Sequence, residues 1–457
     1  MKFTVCNIHF TQQTNKQVYI SQQLIQAWKL DVDEPLSIKL GSQVITATIK
    51  PYNKRGKHIL LSSTVRQLLN VPFSGNTNVI KLGKNEIQIG PLVGILTDQF
   101  GAVGSPFTSR SSFVKQLIHY GTKIGYVFGF TPDDINWENK TVIGHFITSN
   151  GTWFRRKVNL PDVVYNRLPN RRKEVSDEMT KFREKFIQHK IPFFNWSFLN
   201  KNDVYALLDQ DPEALAHIPE SHLNVSAEKM KDMLHKYRFI YFKPSTGSLG
   251  YGIYRITYIA NKGYFIRYRS NEKNNLLKFE TFDKMYRHLK LKVGRNYSSY
   301  VAQQGIRLIE LNSCPVDFRF HMHKDGNNNW QAVGIGAKRA GRGSVTTHMR
   351  NGGKLLTPLQ ALQYTFGNKA QQVLQYAKNV SILLSEAIER NYPHRIGELG
   401  LDIGIDDQGH VWMFEANAKP GRSIFKHPAL KEEGKTSLQH LLEHCLYLSQ
   451  FQGDEVK

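Results

Sequence analysis

The chain has 457 residues, 40% of them hydrophobic, and a formal net charge of +23. This length exceeds what one hydrophobic core usually supports, so we expect two or three domains. The sequence has no run of about 18 apolar residues, which argues against a transmembrane helix, and its first residues lack the apolar core of a signal peptide. Three widely spaced cysteines, Cys6, Cys314 and Cys445, favour a reducing compartment and predict a cytoplasmic protein.

The positive charge favours anionic partners: nucleic acid, anionic polymers, acidic peptides or ATP. Basic clusters occur at residues 155–157, 171–173 and 264–269, and the last alternates aromatic residues with arginines. That alternation could serve single-stranded nucleic acid, but a solvated basic strand is the favoured interpretation because no nucleic-acid module accompanies it. Nucleic acid is therefore not expected as a partner.

Residues 1–90 contain an internal repeat. The segments 20–32 and 61–71 align at an offset of about 41 residues, and each is followed by a strand pattern that ends at a glycine. A duplicated unit too small to bury its own apolar face predicts a pseudo-twofold small β-barrel, similar to a double-psi barrel. Its role is docking of a partner or substrate, or structural only.

Residues 91–190 show strands alternating with helices, which predicts a parallel sheet. The strand patterns are residues 91–97, 123–130 and 161–166, and a helical pattern lies near 111–125. The charged segment 173–189 is predicted to be a helix that connects to the next domain.

A glycine-rich segment, Ser245 to Gly252, lies between two strand patterns, the first of which ends near Lys243. Glycines let backbone N–H groups approach phosphate oxygens closely. The segment lacks the Gly-Lys-Ser/Thr of a Walker loop, and a strand follows it where a dinucleotide fingerprint requires a helix. We interpret it as a flap between antiparallel strands, with an ordinary hairpin turn as the alternative.

Residues 402–417 predict a β-hairpin with one acidic face. With a two-residue turn at 407–408, Asp402 pairs with Met413, and Glu415 and Asn417 follow on the face of Asp402. The other face is then covered by Leu401, Ile403, Trp412 and Phe414. Hard oxygen ligands on a rigid sheet suit Mg²⁺ carried in with nucleotide phosphates. An ordinary surface hairpin is the alternative, and a one-residue slip would separate the acids.

His321 and His323 alternate on a predicted strand. An isolated His-x-His pair favours a surface or structural role over a separate zinc site.

Seven motifs occur in order along the chain. They are residues 194–205 with 215–221, Lys243 with the glycine-rich segment, 300–306, 316–320, 336–339, 351–353, and 397–402 with 414–422. Together they resemble the YheC/YheD family of the ATP-grasp superfamily, described as endospore coat-associated in Bacillus-type bacteria. The resemblance covers roughly residues 90–450, and Asn202 stands where many relatives carry tryptophan.

The resemblance implies an α+β multidomain protein with an ATP-grasp fold, in which two α+β lobes grip ATP. A pre-ATP-grasp α/β domain and connector (91–190) and the duplicated β-barrel-like domain (1–90) precede it. The smaller lobe is assigned to residues 191–300 and the larger lobe to residues 301–457, with helices at about 358–391 and from about Ser437.

The resemblance also assigns site residues, with ATP and Mg²⁺ as cofactors. The residues expected to bind ATP are Lys201, Lys243, Ser245, Gly247, Ser248, Gly250, Gly252, Gln303, Gln304, Ile306 and Asn351. Arg319 and Arg339 are expected to be catalytic, and Asp402, Glu415 and Asn417 to hold the metal.

The function implied is an ATP-dependent carboxylate–amine ligase that forms an acyl phosphate on an amino-acid, peptide, cell-wall or spore-coat related substrate. Spore-coat proteins are suggested as further partners. The alternatives are a nucleotide-binding spore-assembly scaffold without turnover, an ATP-grasp kinase, and a basic nucleic-acid binder.

Overall fold

The computed structural model describes residues 3–98, 104–245, 252–270, 273–341 and 353–451, except the side chains of Lys201 and Asn202. These residues form a barrel and three open sheets. Within these ranges, no helix is both long and apolar enough to cross a membrane.

The first domain is a closed seven-stranded barrel with strand order β1-β5-β2-β4-β3-β7-β6. Its elements are β1 (Phe3–Phe10), β2 (Gln17–Ser21), α1 (Gln22–Trp28), β3 (Leu36–Leu40), β4 (Gln43–Tyr52), β5 (His58–Leu61), α2 (Ser63–Leu68), β6 (Gly75–Gly83) and β7 (Glu86–Gly90). A short helix directly follows β2 and another follows β5, and these two strands pair antiparallel. The two copies of the sequence repeat therefore meet within the barrel.

The second domain contains a sheet with order β10-β11-β9-β8-β13-β14, and β12 pairs with β11. Its elements are β8 (Leu92–Leu96), α3 (Ser111–Gly121), β9 (Tyr126–Phe130), β10 (Ile135–Asn136), β11 (Thr141–Ile147), β12 (Trp153–Asn159), β13 (Val163–Asn166), α4 (Arg171–Glu174), α5 (Asp177–Gln188) and β14 (Phe193–Phe194). The strands β8, β9, β13 and β14 are parallel, as their continuous apolar runs predict.

Helices α6 (Lys201–Leu208) and α7 (Pro212–Leu215) follow, and their apolar residues join the core of the larger lobe. The third sheet is antiparallel, with order β15-β20-β16-β17-β18-β19. The elements of this smaller lobe are β15 (Ser221–Leu223), α8 (Ala227–Tyr237), β16 (Phe239–Pro244), β17 (Tyr254–Ile259), β18 (Gly263–Ser270), β19 (Lys273–Phe279), α9 (Phe282–Val293) and β20 (Tyr300–Gln304).

The fourth sheet, in the larger lobe, has order β24-β23-β22-β25-β26, and β21 pairs with β22. Its elements are β21 (Glu310–Leu311), β22 (Cys314–Lys324), β23 (Trp330–Arg339), β24 (Lys354–Leu356), α10 (Pro358–Phe366), α11 (Ala370–Asn391), β25 (Glu398–Ile405), β26 (Val411–Asn417) and α12 (Lys431–Leu448). One face packs its apolar side chains with those of α11, and the opposite face carries the polar side chains described below.

The predicted α+β multidomain fold is confirmed, but several boundaries differ. β20 completes the sheet of the smaller lobe, although its residues were assigned mostly to the larger lobe. The single helix expected at about 358–391 is two helices, because the chain turns at Gly367 with φ of 50°. The last helix begins at Lys431, because Glu432 and Glu433 favour its first turn and Gly434 does not interrupt it.

Candidate functional site

The hairpin of β25 and β26 places Asp402 directly opposite Glu415, and Gly400 opposite Asn417. The prediction that Asp402 pairs with Met413 is wrong, because Met413 pairs with Ile403. The turn is one residue longer than expected, with the Asp406 and His410 backbones paired, and a bulge at residue 414 adds a second shift. Because two single-residue shifts restore the alternation, Asp402 and Glu415 lie on one face.

The longer turn and the bulge together change the apolar face of the hairpin, and the prediction that Trp412 and Phe414 lie on it is wrong. Met413, with Leu401 and Ile403, is buried in the core of the larger lobe. Trp412 pairs with Gly404 and therefore lies on the face of Asp402. Phe414 also lies over Gly404 on that face, where a Cβ built on the glycine would be 2.5 Å from the Phe414 ring. The acids are thus bordered by aromatic rings.

Two cations approach Asp402 from the neighbouring strands. Arg319 is directly opposite Asp402 on β22, and its Nε lies 3.1 Å from Asp402 Oδ1. Lys338 of β23 places its Nζ 3.3 Å from the same oxygen and 3.9 Å from Asp317 Oδ1. These four groups form a half-buried cluster of alternating charge on one face of the sheet.

Arg339 is not part of this cluster. It pairs with Val316, so strand alternation places it on the face of Ala337 and Phe318, opposite to Arg319. Its Nε is buried and has no hydrogen-bond partner among the described residues. Lys338, the residue before Arg339, lies on the face of Arg319 and Asp402. Asp317 pairs directly with Lys338, and directly paired residues share a face. Knowledge of this register would therefore have identified Lys338 as the residue on the face of Asp317.

The smaller lobe contributes Lys243. Its Nζ lies 2.6 Å from Oε1 of Gln303, a buried residue of β20. Gln303 Nε2 donates to Tyr205 Oη at 2.7 Å and to Ser221 Oγ at 3.1 Å. Tyr205 in turn donates to the carbonyl oxygen of Phe414 at 3.3 Å. A hydrogen-bonded path therefore connects Lys243 with the strand that carries Glu415, and sequence reasoning missed Tyr205.

The coupling of Tyr241 in the smaller lobe to Asp317 in the larger lobe indicates that these two lobes face each other, whereas Tyr205 and Glu415 both lie on the side of the larger lobe. Burial, with a contribution from Glu415, raises the pKa of Tyr205 to about 12. Burial also raises the pKa of Tyr241 in β16, and Asp317 of the larger lobe adds to that shift. Tyr241 and Lys243 alternate on one strand and share a face. That face of the smaller lobe therefore lies opposite the charged cluster.

The other described residues that were expected to bind ATP lie along or beside the smaller lobe. Gln304 accepts a hydrogen bond from the Glu220 backbone N–H at 3.1 Å, and Ile306 is buried just after β20. Ser245 donates its backbone N–H to Ser299 at 2.8 Å, and Gly252 has φ of 70°. The side chain of Lys201, and the residues Gly247, Ser248, Gly250 and Asn351, lie outside the described part of the chain.

Asn417 ends β26 opposite Gly400 on the face of Asp402. Its Oδ1 accepts a hydrogen bond from the Lys419 backbone N–H at 3.0 Å, which fixes the amide and leaves one lone pair. Lys419 is buried and forms an ion pair with Glu174 of the second domain. The end of the hairpin is therefore held against that domain.

His321 and His323 are fully buried, so the surface interpretation is wrong. Both histidines lie on the same face of β22 as Arg319. His321 pairs with Gly400 of β25, and His323 pairs with Glu398. Glu398 is also fully buried, and its Oε2 accepts hydrogen bonds from Arg167 Nη1 at 2.9 Å and Tyr165 Oη at 2.5 Å. Sequence reasoning missed Glu398 and Arg167, which are far apart in the chain.

Comparisons with known proteins identify the family of this chain. Residues 190–448 match the model of the YheC/D-like ATP-grasp family. The endospore coat-associated protein YheD of Bacillus subtilis (strain 168) is 33% identical over 92% of this chain and 92% of its own length. YheC of the same strain is 24% identical over 70% of this chain and 87% of its own length.

Solved structures give a further match. The VanG D-Ala:D-Ser ligase of Enterococcus faecalis superposes with a TM-score of 0.45 and 10% identity, covering 78% of this chain and 98% of the ligase. The family model and the identity to YheD carry the assignment: this chain belongs to the YheC/D-like ATP-grasp family.

Proposed function

We propose that this chain is an ATP- and magnesium-dependent ligase that joins a carboxylate to an amine through an acyl phosphate. The observation that supports this most is the directly opposed pair of Asp402 and Glu415, with Arg319 beside Asp402. A scaffold that only binds a partner has no need of two opposed carboxylates, two adjoining cations and a lysine presented from the facing lobe.

The reaction proceeds in two steps. A carboxylate oxygen of the substrate attacks the γ-phosphorus of ATP, the bond from that phosphorus to the oxygen of ADP breaks, and an acyl phosphate forms. An amine then attacks the acyl carbon, the C–N bond forms, inorganic phosphate leaves, and the nitrogen loses a proton. Neither step requires a side-chain nucleophile, so positioning and charge stabilisation supply the catalysis.

Each charged residue has a role in this scheme. Arg319 and Lys338 stabilise the negative charge on the transferring phosphoryl group, and the planar guanidinium suits two oxygens at once. Lys243 binds phosphate oxygens from the smaller lobe. The hydrogen bond to Gln303 at 2.6 Å holds the Lys243 ammonium on the face that looks toward the larger lobe.

The oxygen donors fit magnesium. Asp402 and Glu415 offer carboxylates on one face, Asn417 offers an amide oxygen, and all three are partly exposed. Magnesium prefers such hard oxygen ligands and shares its coordination with phosphate oxygens and water. When bound, the ion neutralises phosphate charge.

ADP release from Mg·ATP over a panel of amino acids and peptides, each with and without an added amine, tests the proposal. We expect release that requires both the carboxylate and the amine. Asp402→Asn and Glu415→Gln should each lower turnover by a factor on the order of 100 or more. Asp407→Asn is the matched control, because Asp407 is exposed in the hairpin turn.

Two results would overturn the ligase proposal. ADP release that is indifferent to the amine and yields a stable phosphorylated product would identify a kinase. Nucleotide binding without ADP release for any acid and amine would identify a scaffold. Equal turnover in the Asp402 variant and its control would remove that carboxylate from the reaction.

A further inference from the structure

A polar stripe runs from the charged cluster into the interior. We use this name for Arg319, His321 and His323 of β22 with Glu398 of β25, which share one face of the sheet. Gly400 lies between Glu398 and Asp402 on that face and leaves room for the Pro420 ring and the Arg319 guanidinium: a Cβ there would be 2.5 Å from Pro420 Cβ and 2.9 Å from Arg319 Nη1. The stripe therefore begins at the site of phosphoryl transfer and ends about 13 Å away, four strand residues further on.

Three arginines from other elements converge on the buried end of the stripe. Arg167 bonds to Glu398 and to the carbonyl oxygen of Pro420. Arg422 donates to Ser437 Oγ at 2.7 Å, and both Arg167 and Arg422 lie over the ring of Phe113, at 5.2 and 4.9 Å. Arg110, which precedes α3, is coupled electrostatically to Arg167 and Glu398. The α/β domain and the larger lobe thus both contribute cations.

The charges around this end do not balance. The acids coupled to the three guanidiniums are Glu398 and Asp98, both buried. Burial, and then the neighbouring Arg167, lower the pKa of Arg110, and burial lowers the pKa of Arg422, with Arg167 adding to it. An excess of cation in a water-poor junction is costly unless an anion binds there.

Several buried polar atoms of the stripe, and one of the neighbouring Arg110, have no hydrogen-bond partner among the described residues. They are Arg110 Nε, Arg319 Nη1, both ring nitrogens of His321, His323 Nδ1 and Glu398 Oε1. His321 is completely buried, and burial, the next histidine and the nearby arginines lower its pKa well below the usual value. Its neutral ring then offers one donor and one acceptor that nothing in the described chain satisfies.

The electrostatics favour an anion over a metal cation. His321, His323 and Glu398 lie close enough together for a metal, with ligand atoms within 4.8 Å of one another. Glu398 already forms an ion pair with Arg167, however, and Arg319 and Arg422 add positive charge around the histidines. A divalent cation at this position would face at least three guanidiniums, whereas a carboxylate would gain charge-assisted hydrogen bonds.

We propose that the polar stripe binds a second anionic group of the substrate, so that this ligase acts on an acidic amino-acid unit such as a glutamyl or aspartyl residue. The inference rests on the proposed ligase function and names its substrate class. One carboxylate lies at Arg319 for phosphoryl transfer, and the other lies near His321 and the arginine cluster. Arg319 and His321 are two strand residues apart, about 7 Å, which matches the reach of a small dicarboxylate.

Equilibrium binding separates this inference from the ligase proposal, because it needs no turnover. The probes are L-glutamate, L-aspartate and the dipeptide Glu-Ala, each compared with its side-chain amide in the presence of a non-hydrolysable ATP analogue and Mg²⁺. We expect at least one acid to bind about tenfold or more tightly than its amide. Arg110→Met should remove this preference, while Arg172→Met, at an exposed arginine, should keep it. Affinity for the ATP analogue should stay within about twofold in both variants.

The variant His321→Leu distinguishes a role of His321 in anion binding from a purely structural role. Removing two buried and unpartnered nitrogens should leave the melting temperature unchanged or raise it, yet abolish the preference for the acid. Equal affinity of the parent for every acid and its amide would overturn the inference. So would one equivalent of zinc bound to the parent and lost in His321→Leu. Acid preference without ADP release under any condition would instead contradict the ligase proposal and leave the anion site standing.

Discussion

At the scale of single residues, neighbours in one strand have different surroundings. Lys338 points to the face of Asp402 and Asp317, while Arg339 belongs to the face of Val316. Motif order alone favours Arg339, because a planar, permanently charged donor suits a phosphoryl group. The observed pairing of β22 with β23 favours Lys338, because only its ammonium reaches the carboxylates. The two assignments predict opposite results for two adjacent substitutions.

Lys338→Met should lower the turnover number by a factor on the order of 100, because it removes a cation from the developing charge. Arg339→Met should lower turnover by less than about tenfold, since it changes the opposite face of the sheet. Initial rates of ADP release measure both effects, and binding of an ATP analogue controls for loss of fold. A larger loss in the Arg339 variant would show that its guanidinium turns around the strand end to the reacting centre.

At the scale of elements, the hairpin shows what the sequence could predict. The alternation of residues 402–405 and 411–417 indicates two strands, and the acids share a face in the structure. The register was not predictable from alternation, because Asp406 builds a longer turn: its side chain accepts from the backbones of Gln408 and His410 and from Trp412 Nε1. An aspartate that accepts hydrogen bonds from the following backbone is a local sequence signal for a longer turn, and assuming a two-residue turn misses it.

The bulge and the polar stripe depend on tertiary contacts. Phe414 fits into the bulge because Gly404 has no Cβ, and its ring shares the space over this glycine with the side chain of Leu308, a residue distant in sequence. Glu398 and Arg167 are separated by 231 positions in the chain, so no local pattern indicates their ion pair. The sequence therefore predicts elements and faces well, while buried pairs between domains become visible only in the folded chain.

Gly404→Ala tests whether the bulge positions the acids. A Cβ at this position would be 2.5 Å from the Phe414 ring and 2.6 Å from Leu308. We expect a loss of stability of about 1–3 kcal/mol from this overpacking, with weaker nucleotide binding because Phe414 adjoins Glu415. Gly421→Ala is the control, since nothing lies within 4 Å of its added methyl group. Thermal unfolding and nucleotide titration measure the two effects. Equal behaviour of both variants would show that the hairpin tolerates repacking.

At the scale of the whole molecule, the candidate site combines residues of three units. The larger lobe supplies the acids, the smaller lobe supplies Lys243 through Gln303, and the second domain supplies Arg167 to the stripe. Tyr205 belongs to a helix packed on the larger lobe, yet it bonds to Gln303 of the smaller lobe. Movement of the lobes relative to each other would therefore break or strain the Tyr205–Gln303 contact. A closed arrangement of the lobes is built into the hydrogen bonds of the site.

The barrel is also part of this assembly. Buried residues of the barrel, such as Leu40 and Leu69, belong to one continuous apolar cluster with Leu92 and Phe128 of the second domain. Asn159 of β12 is buried at the junction, and its Nδ2 donates to the carbonyl oxygens of Leu40 and Leu69, both at 2.9 Å. A separately folding docking module would not share its core with the neighbouring domain.

Asn159→Ala should therefore loosen both domains together. The substitution leaves two buried carbonyl groups of the barrel without their donor and removes the bond to Asn70, which should cost about 2–3 kcal/mol. Hydrogen exchange should rise in peptides of β3 and β4 and, to a similar extent, in those of β8 and β9, because one apolar core unfolds as a unit. Asn139→Ala, at an exposed position of the same domain, should leave exchange unchanged in both sets. Faster exchange confined to the barrel peptides would show that the barrel unfolds alone, and would restore its interpretation as an independent docking module.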